Sequence, residues 1–551
     1  MYVRINTRKN KDGSVVEYIQ LAHNRRHPNK KYSVAQVIYT FGRKDQLDVS
    51  AIKRLIKSLS RLISSEDAME LKANISGLDG FEFISSRPAG GAHLLKGLWE
   101  RLKINDCIKG ALKNRAFSAP IGDALFALVA NRALAPASKL AVEKWVSDQV
   151  YLGNDKKIQV QHLYRSMDFL LEHQENIQER VFWSTATLLN LTVDLIFFDT
   201  TNTYFEIDDP GPSELKAWTR SKQKRDDLPH VTVGLAVTRE GIPVKCWVLP
   251  GNQHDAKCVD QVQQDLNSWK LGKVVWVMDR GMTSDENKRI LQRAGGQYIL
   301  GEKLRGRIKN NEKALNTGGR YKKIRKNLHI KEVHVGKGTG KGRYVIAYNP
   351  EQATHDKKTR ERLLERIASE LTSIKTLPEK KRIKANVLLK THRSMGRYLK
   401  EQKNGNLKVD KAVVKREEKL DGKYLLSTSD ESMSAEDIAL GYKQLYEVEH
   451  AFRTLKSSLS LRPVYHSKDD RIRSHVMLCW LALMLVRTAE YETKLTWQNI
   501  RAEIEQIHIG EFVHKDARIL QYTEVTQKQR NIFKKLRIKP PCTFKKIELS
   551  S

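Results

Sequence analysis

The chain has 551 residues, and its 98 Lys and Arg outnumber 64 Asp and Glu to give a formal net charge of +34. Because the excess is spread along the chain, it predicts a polyanionic partner, most simply nucleic acid, although a basic ribosome-associated protein would share this composition. Five scattered cysteines without a Cys-x-x-Cys pair argue against a zinc module or a disulfide framework and fit a reducing cytoplasm. The longest apolar run, 476–486, has 11 residues, which is too short to span a bilayer and indicates a buried helix.

The first 85 residues are predicted to form a small basic DNA-binding domain of strands and one helix. Residues 1–48 alternate polar and apolar side chains between turn signals, which is typical of a small sheet or hairpin. An amphipathic helix over 51–63 follows, with a solvated surface helix as the alternative to one that contacts DNA. Residues 90–190 show periodic apolar stretches with short polar breaks, which predicts a helical region that supports the rest or adds DNA contacts.

From residue 191 the pattern changes to apolar runs bounded by turns, and the order βββαβαβ is predicted over 191–300. The predicted helices are 259–269 and 284–294, and the strands are 193–198, 231–237, 243–249, 274–278 and 297–300. The first strand ends at Asp199 and the fourth at Asp279. Acids at these two places, in this order of elements, predict an RNase-H-like α/β catalytic core.

Residues 301–411 interrupt this core and are predicted to form a basic, β-rich insertion. From 301 to 350 there are 14 Lys and Arg against three Asp and Glu, among short alternating strands and Gly-containing turns. A helix over about 357–375 and a lysine-rich stretch are predicted to follow. The core is predicted to resume over 412–493 with a strand and the helix that carries Glu449. Residues 494–551 are predicted to be a helical tail that contacts DNA or a second copy of the chain.

Glu449 lies in a segment without Pro or Gly, 442–456, which predicts one helix. Tyr442, Glu449, Arg453 and Lys456 share one face of that helix at 3.6 residues per turn, as they would on an ordinary solvated face. Glu449 adds a third carboxylate to the two strand-end acids, each of which alone could be a turn or cap residue. Three carboxylates on two strands and a helix suit a site with two Mg²⁺ ions, for which Mn²⁺ can substitute.

In combination these motifs resemble the DDE transposases of bacterial and archaeal insertion sequences, in the group with a Tyr-x2-Arg-x3-Glu-x6-Lys signature and a β-rich insertion before the Glu. Tyr442, Glu449 and Lys456 match that signature at its spacing. Leu445 stands at the Arg position, and Arg453 on the same face is the candidate to replace it.

The resemblance implies a metal-dependent cut-and-paste transposase in which Asp199, Asp279 and Glu449 are the catalytic metal ligands. Such an enzyme would bind double-stranded DNA at the terminal inverted repeats of its element and join the 3′ ends to target DNA. It would act as a homodimer in a synaptic complex, in a prokaryotic cytoplasm at the nucleoid and without a membrane. Tyr442 and Lys456 would contact the phosphate near the scissile bond.

Two further groups near the acids are candidate DNA contacts. The resemblance implies an aromatic residue that captures a flipped base, with Trp218, Trp247 and Tyr321 as candidates and ordinary packing as the alternative. Lys222 and Arg225 lie in a cation-rich segment after the first predicted strand. We expect both to hold the DNA backbone, with a solvated loop as the alternative.

Other functions remain open from the sequence. A nuclease on the same core would cut DNA without joining strands, and a protein from a decayed element would bind DNA without cutting it. His254-Asp255 is interpreted as a loop cap, because one His and one Asp do not make a metal site.

Overall fold

The computed structural model describes residues 2–9, 15–26, 33–44, 81–113, 120–153, 157–207, 209, 211–219, 225–269, 271–306, 308–336, 341–514 and 517–549. The chain divides into two compact units, Met1–Ile177 with Met477–Ser551, and Gln178–Val476. The predicted helix over 51–63 and the predicted DNA contact Lys222 lie outside the described residues.

The first unit begins with an antiparallel sheet of three strands, which confirms the predicted hairpins. In spatial order the strands are β1 (Tyr2–Lys9), β2 (Val15–Arg26) and β3 (Ser33–Arg43). There follow β4 (Phe81–Pro88), α1 (Gly90–Arg101), α2 (Ile104–Leu112), α3 (Ile121–Leu134), α4 (Lys139–Lys144) and α5 (Val160–Glu172). Helix α3 is buried along nearly its whole length, because its apolar residues cover all sides of the helix.

The second unit is built on a mixed sheet of ten strands. Its first part, in chain order, contains α6 (Gln174–Leu189), β5 (Leu195–Tyr204), β6 (Ala217–Trp218), β7 (Pro229–Thr238), β8 (Pro243–Pro250), α7 (Cys258–Asn267), β9 (Val275–Met278), α8 (Asp285–Gln292) and β10 (Gln297–Glu302). The predicted order of strands and helices is confirmed, with the short β6 in addition. Strand β5 continues beyond its predicted end at Asp199, because the following Thr and Asn residues pair with β7.

Strand pairing makes the two acid-bearing strands neighbours. Strand β5 pairs antiparallel with β7 on one side and parallel with β9 on the other, and β9 pairs parallel with β10. One face of the sheet carries a core in which Phe198, Trp247 and Trp276 are buried. The apolar runs that predicted these strands are therefore the residues that bury them.

Residues 301–411 contain more helix than the predicted β-rich insertion allows. The elements are α9 (Lys309–Asn316), β11 (Lys322–Arg325), β12 (Leu328–Val335), β13 (Gly342–Tyr348), α10 (Pro350–Lys375), α11 (Glu379–Thr391), β14 (Leu399–Glu401), β15 (Leu407–Val409) and α12 (Lys411–Glu418). The β-rich expectation is wrong for the second half, although the helix predicted over about 357–375 is confirmed within α10. The helices of this half have a small core of their own around Ile367, Ile374 and Tyr398. Strands β11, β12 and β13 instead extend the central sheet through β16 (Lys423–Thr428), which pairs with β10.

The predicted single helix over 442–456 is wrong. Helix α13 (Ala435–Lys443) ends before α14 (Tyr446–Ser457) begins, and the turn between them is closed by hydrogen bonds from Gln444 N to Gly441 O and from Leu445 N to Tyr442 O. These bonds join residues three apart instead of four, so they rotate the chain relative to a continuous α-helix. Neither residue 444 nor 445 is Pro or Gly, so no residue type there predicts the break.

Helix α15 (Asp469–Thr493) contains the longest apolar run and is buried, as predicted. By length and hydropathy alone it could cross a membrane, but 94% of its most apolar window is buried inside the protein. The remaining elements are α16 (Trp497–Ile504), β17 (His508–His514), β18 (Ala517–Tyr522), α17 (Gln527–Lys535) and β19 (Phe544–Leu549). The expected helical tail is therefore wrong, because these three strands pair with β4 in the order β19-β18-β17-β4.

Candidate active site

Asp199 and Asp279 each directly follow the last residues that pair the parallel strands β5 and β9. Phe198 on β5 is the register partner of Met278, the last residue of β9. Because neighbouring strands lie about 4.8 Å apart, the next residue on each strand emerges beside the other. Both acids are half-buried. The structure thus brings together the two acids that the sequence analysis selected from separate apolar runs.

A cavity of about 450 Å³ lies beside Asp199. It is lined by Asp199, Thr200, Thr201, Glu449, Phe452, Arg453, Lys456, Ser457 and Arg462. Glu449, Arg453 and Lys456 reach it from one face of α14, as their helical spacing predicts. Lys456 Nζ donates a hydrogen bond to Thr201 Oγ1 on β5. Two carboxylates and three cations therefore line one concave surface.

Tyr442 contacts an acid in this structure. Its hydroxyl donates a hydrogen bond to Asp279 Oδ1 at 3.0 Å, and it lies on α13, before the turn that precedes α14. Burial, followed by the negative charge of Asp279, raises the pKa of Tyr442 well above its ordinary value, so the hydroxyl remains a donor at neutral pH. Gly301 provides the space, because a Cβ atom there would stand 2.3 Å from the Tyr442 hydroxyl.

The donor atoms of the site suit a divalent ion. Asp199, Asp279 and Glu449 offer carboxylate oxygens, the ligands that Mg²⁺ and Mn²⁺ prefer. Across the ranges that the structure describes, no three His, Cys, Asp or Glu side chains stand close enough to hold an ion as they are. Asp279 is engaged by Tyr442, whereas Asp199 and the exposed Glu449 face the cavity. The donor chemistry therefore fits such an ion.

Arg225 is held by its neighbours next to Tyr204. It pairs with Asp227 at 2.9 Å between Nη2 and Oδ2, and its guanidinium carbon lies 5.3 Å from the centre of the Tyr204 ring. The hydrogen bond between the two side chains raises the pKa of Arg225 and lowers that of Asp227. A second guanidinium, of Arg462, lies 5.9 Å from the same ring and also lines the cavity.

Arg462 was given no role from the sequence. It follows α14 in a segment without regular structure, so no periodic pattern indicates which surface it faces. Only the packing of that segment against Tyr204 reveals its position beside the acids.

One of the three aromatic candidates for base capture is wrong. Trp247 is buried in the core of the sheet, and its Nε1 donates to Asp265 at 2.7 Å. Trp218 is 51% exposed on the short strand β6 at the sheet edge. Tyr321 is half-buried, with its ring centre 5.9 Å from that of Tyr348. Trp218 and Tyr321 therefore stay candidates.

Comparison with known families agrees with the resemblance that the sequence motifs indicate. A family model described as the transposase DDE domain matches residues 209–485, half of the chain, and the protein therefore belongs to the DDE transposase family. A second model, of the N-terminal domain of IS1634 family transposases, matches residues 3–68, so the protein is more particularly an insertion-sequence DDE transposase. Asp279 and Glu449 lie inside the first match, and Asp199 precedes it.

Comparisons with individual proteins add little. No curated protein matches the chain. Among solved structures, the cryo-EM structure of a piggyBac transposase synaptic complex with hairpin DNA aligns with a TM-score of 0.36 and 8% sequence identity, over 75% of this chain and 79% of that chain. A similarity at this level carries no argument about the site.

Proposed function

We propose that this transposase cleaves DNA at the terminal inverted repeats of its element with divalent metal ions and joins the 3′ ends to target DNA, a cut-and-paste reaction. The observation that carries the proposal is the cavity in which Asp199 and Glu449 face Arg453, Lys456 and Arg462. Carboxylates opposite cations on a concave surface suit a phosphodiester that lies between metal ions and basic side chains.

The strand order supports an RNase-H-like catalytic core. Strands β8, β7 and β5 are antiparallel neighbours, and β9 and β10 continue the sheet parallel to β5 on its other side. We propose residues 191–300 and 412–493 as the two parts of that core, with 301–411 as the interruption between the second Asp and Glu449. This arrangement places the acids on rigid elements, which limits their movement.

The residues that would hold two Mg²⁺ or Mn²⁺ ions are Asp199, Asp279 and Glu449. When bound, the ions lower the pKa of the attacking water or 3′-hydroxyl and stabilise the charge on the leaving oxygen. Tyr442 orients the Asp279 carboxylate through its hydrogen bond and stays protonated while it does so.

Basic side chains around the cavity are proposed to orient the phosphodiester. Lys456 is held at the cavity wall by its hydrogen bond to Thr201. Arg453, on the same helix face, and Arg462, beside Tyr204, carry guanidinium groups that can bind phosphate oxygens in pairs. Contacts of this kind position the backbone and carry no sequence information, so recognition of the repeats is assigned to other parts of the chain.

The proposed partners are the two DNA substrates and a second copy of the chain. A net charge of +34 supports DNA binding through phosphates. A homodimer in a synaptic complex is proposed because the resemblance to the family implies it. Since both substrates are DNA, the proposed place of action is the nucleoid of a prokaryotic cell.

The proposal is tested by cleavage of a plasmid that carries the flanks of the gene, with Mg²⁺ or Mn²⁺, by the wild type and by Glu449→Gln. The matched control is Glu447→Gln, the same change on the same helix outside the cavity lining. We expect cleavage at the flanks by the wild type and by the control, and none by Glu449→Gln, because the amide removes a negative metal ligand.

A second assay offers pre-cleaved ends and a target plasmid. Joined products support the transposase reaction, whereas cleavage without joining would favour a nuclease on the same core. Equal cleavage by Glu449→Gln and the wild type would show that the catalytic site is elsewhere.

A further inference from the structure

A fourth carboxylate, Asp255, contacts the strand that carries Asp199. Its Oδ1 accepts a hydrogen bond from Thr200 Oγ1 at 2.5 Å. Thr200 in turn donates its backbone N–H to Asp199 Oδ1 at 2.8 Å. Asp255 opens a short 3₁₀ turn, Asp255–Lys257, between β8 and α7. A residue that only caps a loop accepts hydrogen bonds from the backbone of its own turn, whereas the Asp255 carboxylate accepts one from a side chain on β5.

The same turn contacts the segment that follows Asp279. A Cβ atom built at Gly281 would stand 3.7 Å from Asp255 Oδ2, so that oxygen lies against the backbone two residues after Asp279. Asn287, which is buried, donates through Nδ2 both to Ala256 O at 2.9 Å and to Met282 O at 2.7 Å. The residue next to Asp255 is thereby tied to the turn after Asp279.

The contacts of Asp255 and Asn287 lie just beyond the point at which β5 and β9 stop pairing. The last register pair between β5 and β9 is Phe198 with Met278, one residue before each acid. Among the described residues, no ladder bond beyond that pair sets the separation of β5 and β9, and the two carboxylates that follow it repel each other. Asp255 contacts β5 at Thr200, and Asn287 ties the residue next to Asp255 to the turn after Asp279, so a third segment of the chain connects the two acid-bearing segments.

We propose that Asp255 is a positioning residue: through Thr200 it holds the part of β5 that carries Asp199 against the turn after Asp279, and so maintains the spacing of the two acids proposed to bind metal. The metal-binding part of this inference rests on the proposed function. Partners of this kind around metal ligands typically contribute a factor of about 10–100 to metal affinity or activity.

The test changes each partner of the hydrogen bond between Thr200 and Asp255 in two ways. Asp255→Ala and Thr200→Val remove it, whereas Asp255→Asn keeps an acceptor oxygen and Thr200→Ser keeps the hydroxyl. The control is Asp260→Ala, which removes a carboxylate on α7 that pairs with Arg293 at 3.6 Å. Thermal unfolding checks that each variant is folded, and Thr200→Val keeps the inference testable if Asp255→Ala does not fold.

The first readout is the Mn²⁺ dissociation constant of the full chain without DNA, measured by electron paramagnetic resonance. We expect Asp255→Ala and Thr200→Val to weaken Mn²⁺ binding about 10-fold or more. The double variant should be no weaker than either single variant, because both remove one interaction. Asp255→Asn and Thr200→Ser should recover most of the loss, and Asp260→Ala should bind as the wild type does.

Two results would overturn the positioning role. Equal losses in Asp255→Asn and Asp255→Ala would mean that the charge itself is needed, so that Asp255 is a metal ligand. Wild-type Mn²⁺ affinity in both Asp255→Ala and Thr200→Val, or no Mn²⁺ binding by the wild type, would mean that the hydrogen bond does not support a metal site.

Cleavage of the flank plasmid by Asp279→Asn separates this inference from the proposed function. Wild-type cleavage by Asp279→Asn contradicts the proposed function, and the Mn²⁺ affinities then still decide the role of Asp255. The inference alone is contradicted if Asp279→Asn loses cleavage while Asp255→Ala and Thr200→Val keep both the Mn²⁺ affinity and the cleavage of the wild type.

Discussion

Tyr442 shows how a single hydrogen bond can change the role assigned to a residue. Its place in the Tyr-x2-Arg-x3-Glu-x6-Lys pattern implies a phosphate contact, but its hydroxyl donates to Asp279 at 3.0 Å. The raised pKa of Tyr442 follows from burial and from that carboxylate, and it keeps the proton on the tyrosine. A protonated donor beside Asp279, a proposed metal ligand, would orient that carboxylate, which is a different task from holding DNA.

Tyr442→Phe separates these two tasks. If the hydroxyl orients Asp279, we expect cleavage to fall about 10–100-fold at limiting Mg²⁺, with DNA affinity and its salt dependence unchanged. Because a raised pKa leaves the hydroxyl protonated below about pH 10, the loss should be the same factor across pH 6–9. Cleavage rates over this pH range and a salt titration of DNA binding measure both effects.

The control for this variant is Tyr491→Phe on α15, outside the cavity lining. This change removes a hydroxyl but keeps the aromatic ring, whose centre lies 4.0 Å from Lys494 Nζ. A loss of DNA affinity and a smaller salt slope in Tyr442→Phe, without loss of the rate at saturating DNA, would instead support a phosphate contact.

At the scale of elements, the turn between α13 and α14 separates Tyr442 from Glu449. A continuous helix would direct both to one face, whereas the observed turn directs Tyr442 to Asp279 and leaves Glu449, Arg453 and Lys456 at the cavity. The packing of α13 against β10 depends on Gly301, since any side chain there would meet the Tyr442 hydroxyl.

Gly301→Ala tests this packing. We expect the free energy of unfolding to fall by about 1–3 kcal/mol, because the added methyl group overpacks the contact with Tyr442. Combining it with Tyr442→Phe should recover part of that loss, since the hydroxyl is the nearest atom to the added methyl group, at 2.3 Å. Urea unfolding of the single and double variants measures both effects.

Gly318→Ala is the matched control, because a Cβ atom there would meet no other atom within 4 Å. If Gly301→Ala and Gly318→Ala are equally stable, the contact between β10 and Tyr442 is looser than described.

At the scale of the whole molecule, the distribution of charge decides how the protein meets DNA. The excess of 98 basic over 64 acidic residues predicts binding that weakens steeply with salt. Arg225, which is paired with Asp227, and Arg462 both lie beside the Tyr204 ring. Arg462 also lines the cavity, so part of the positive charge lies next to it. Contacts between these arginines and the DNA backbone would orient the DNA relative to the acids.

The double variant Lys222→Ala with Arg225→Ala tests the predicted DNA contact. For each phosphate that the variant no longer neutralises, the slope of log affinity against log salt should become less steep by about 0.9, and affinity should fall for all sequences alike. Fluorescence anisotropy of labelled duplexes at several salt concentrations measures the slope. The control is Arg501→Ala, which removes a guanidinium paired with Glu505 at 3.0 Å.

Unchanged affinity together with an unchanged slope in Lys222→Ala with Arg225→Ala would leave that segment as a solvated loop. A change in Arg501→Ala that is half as large as in this variant would show that only net charge matters, because Arg501→Ala removes one positive charge and the variant removes two.

The sequence by itself determined the net charge of +34, the order of strands and helices around Asp199 and Asp279, and the helix face of Glu449. The order and the helix face follow because apolar periodicity reports which residues each element buries. Only the tertiary structure decided that Tyr442 contacts Asp279, that Arg462 and Asp255 lie beside the acids, and that β11–β13 extend the central sheet. These contacts join residues far apart in the chain, and they depend on which strands pair and where a helix ends, neither of which is encoded in a local pattern.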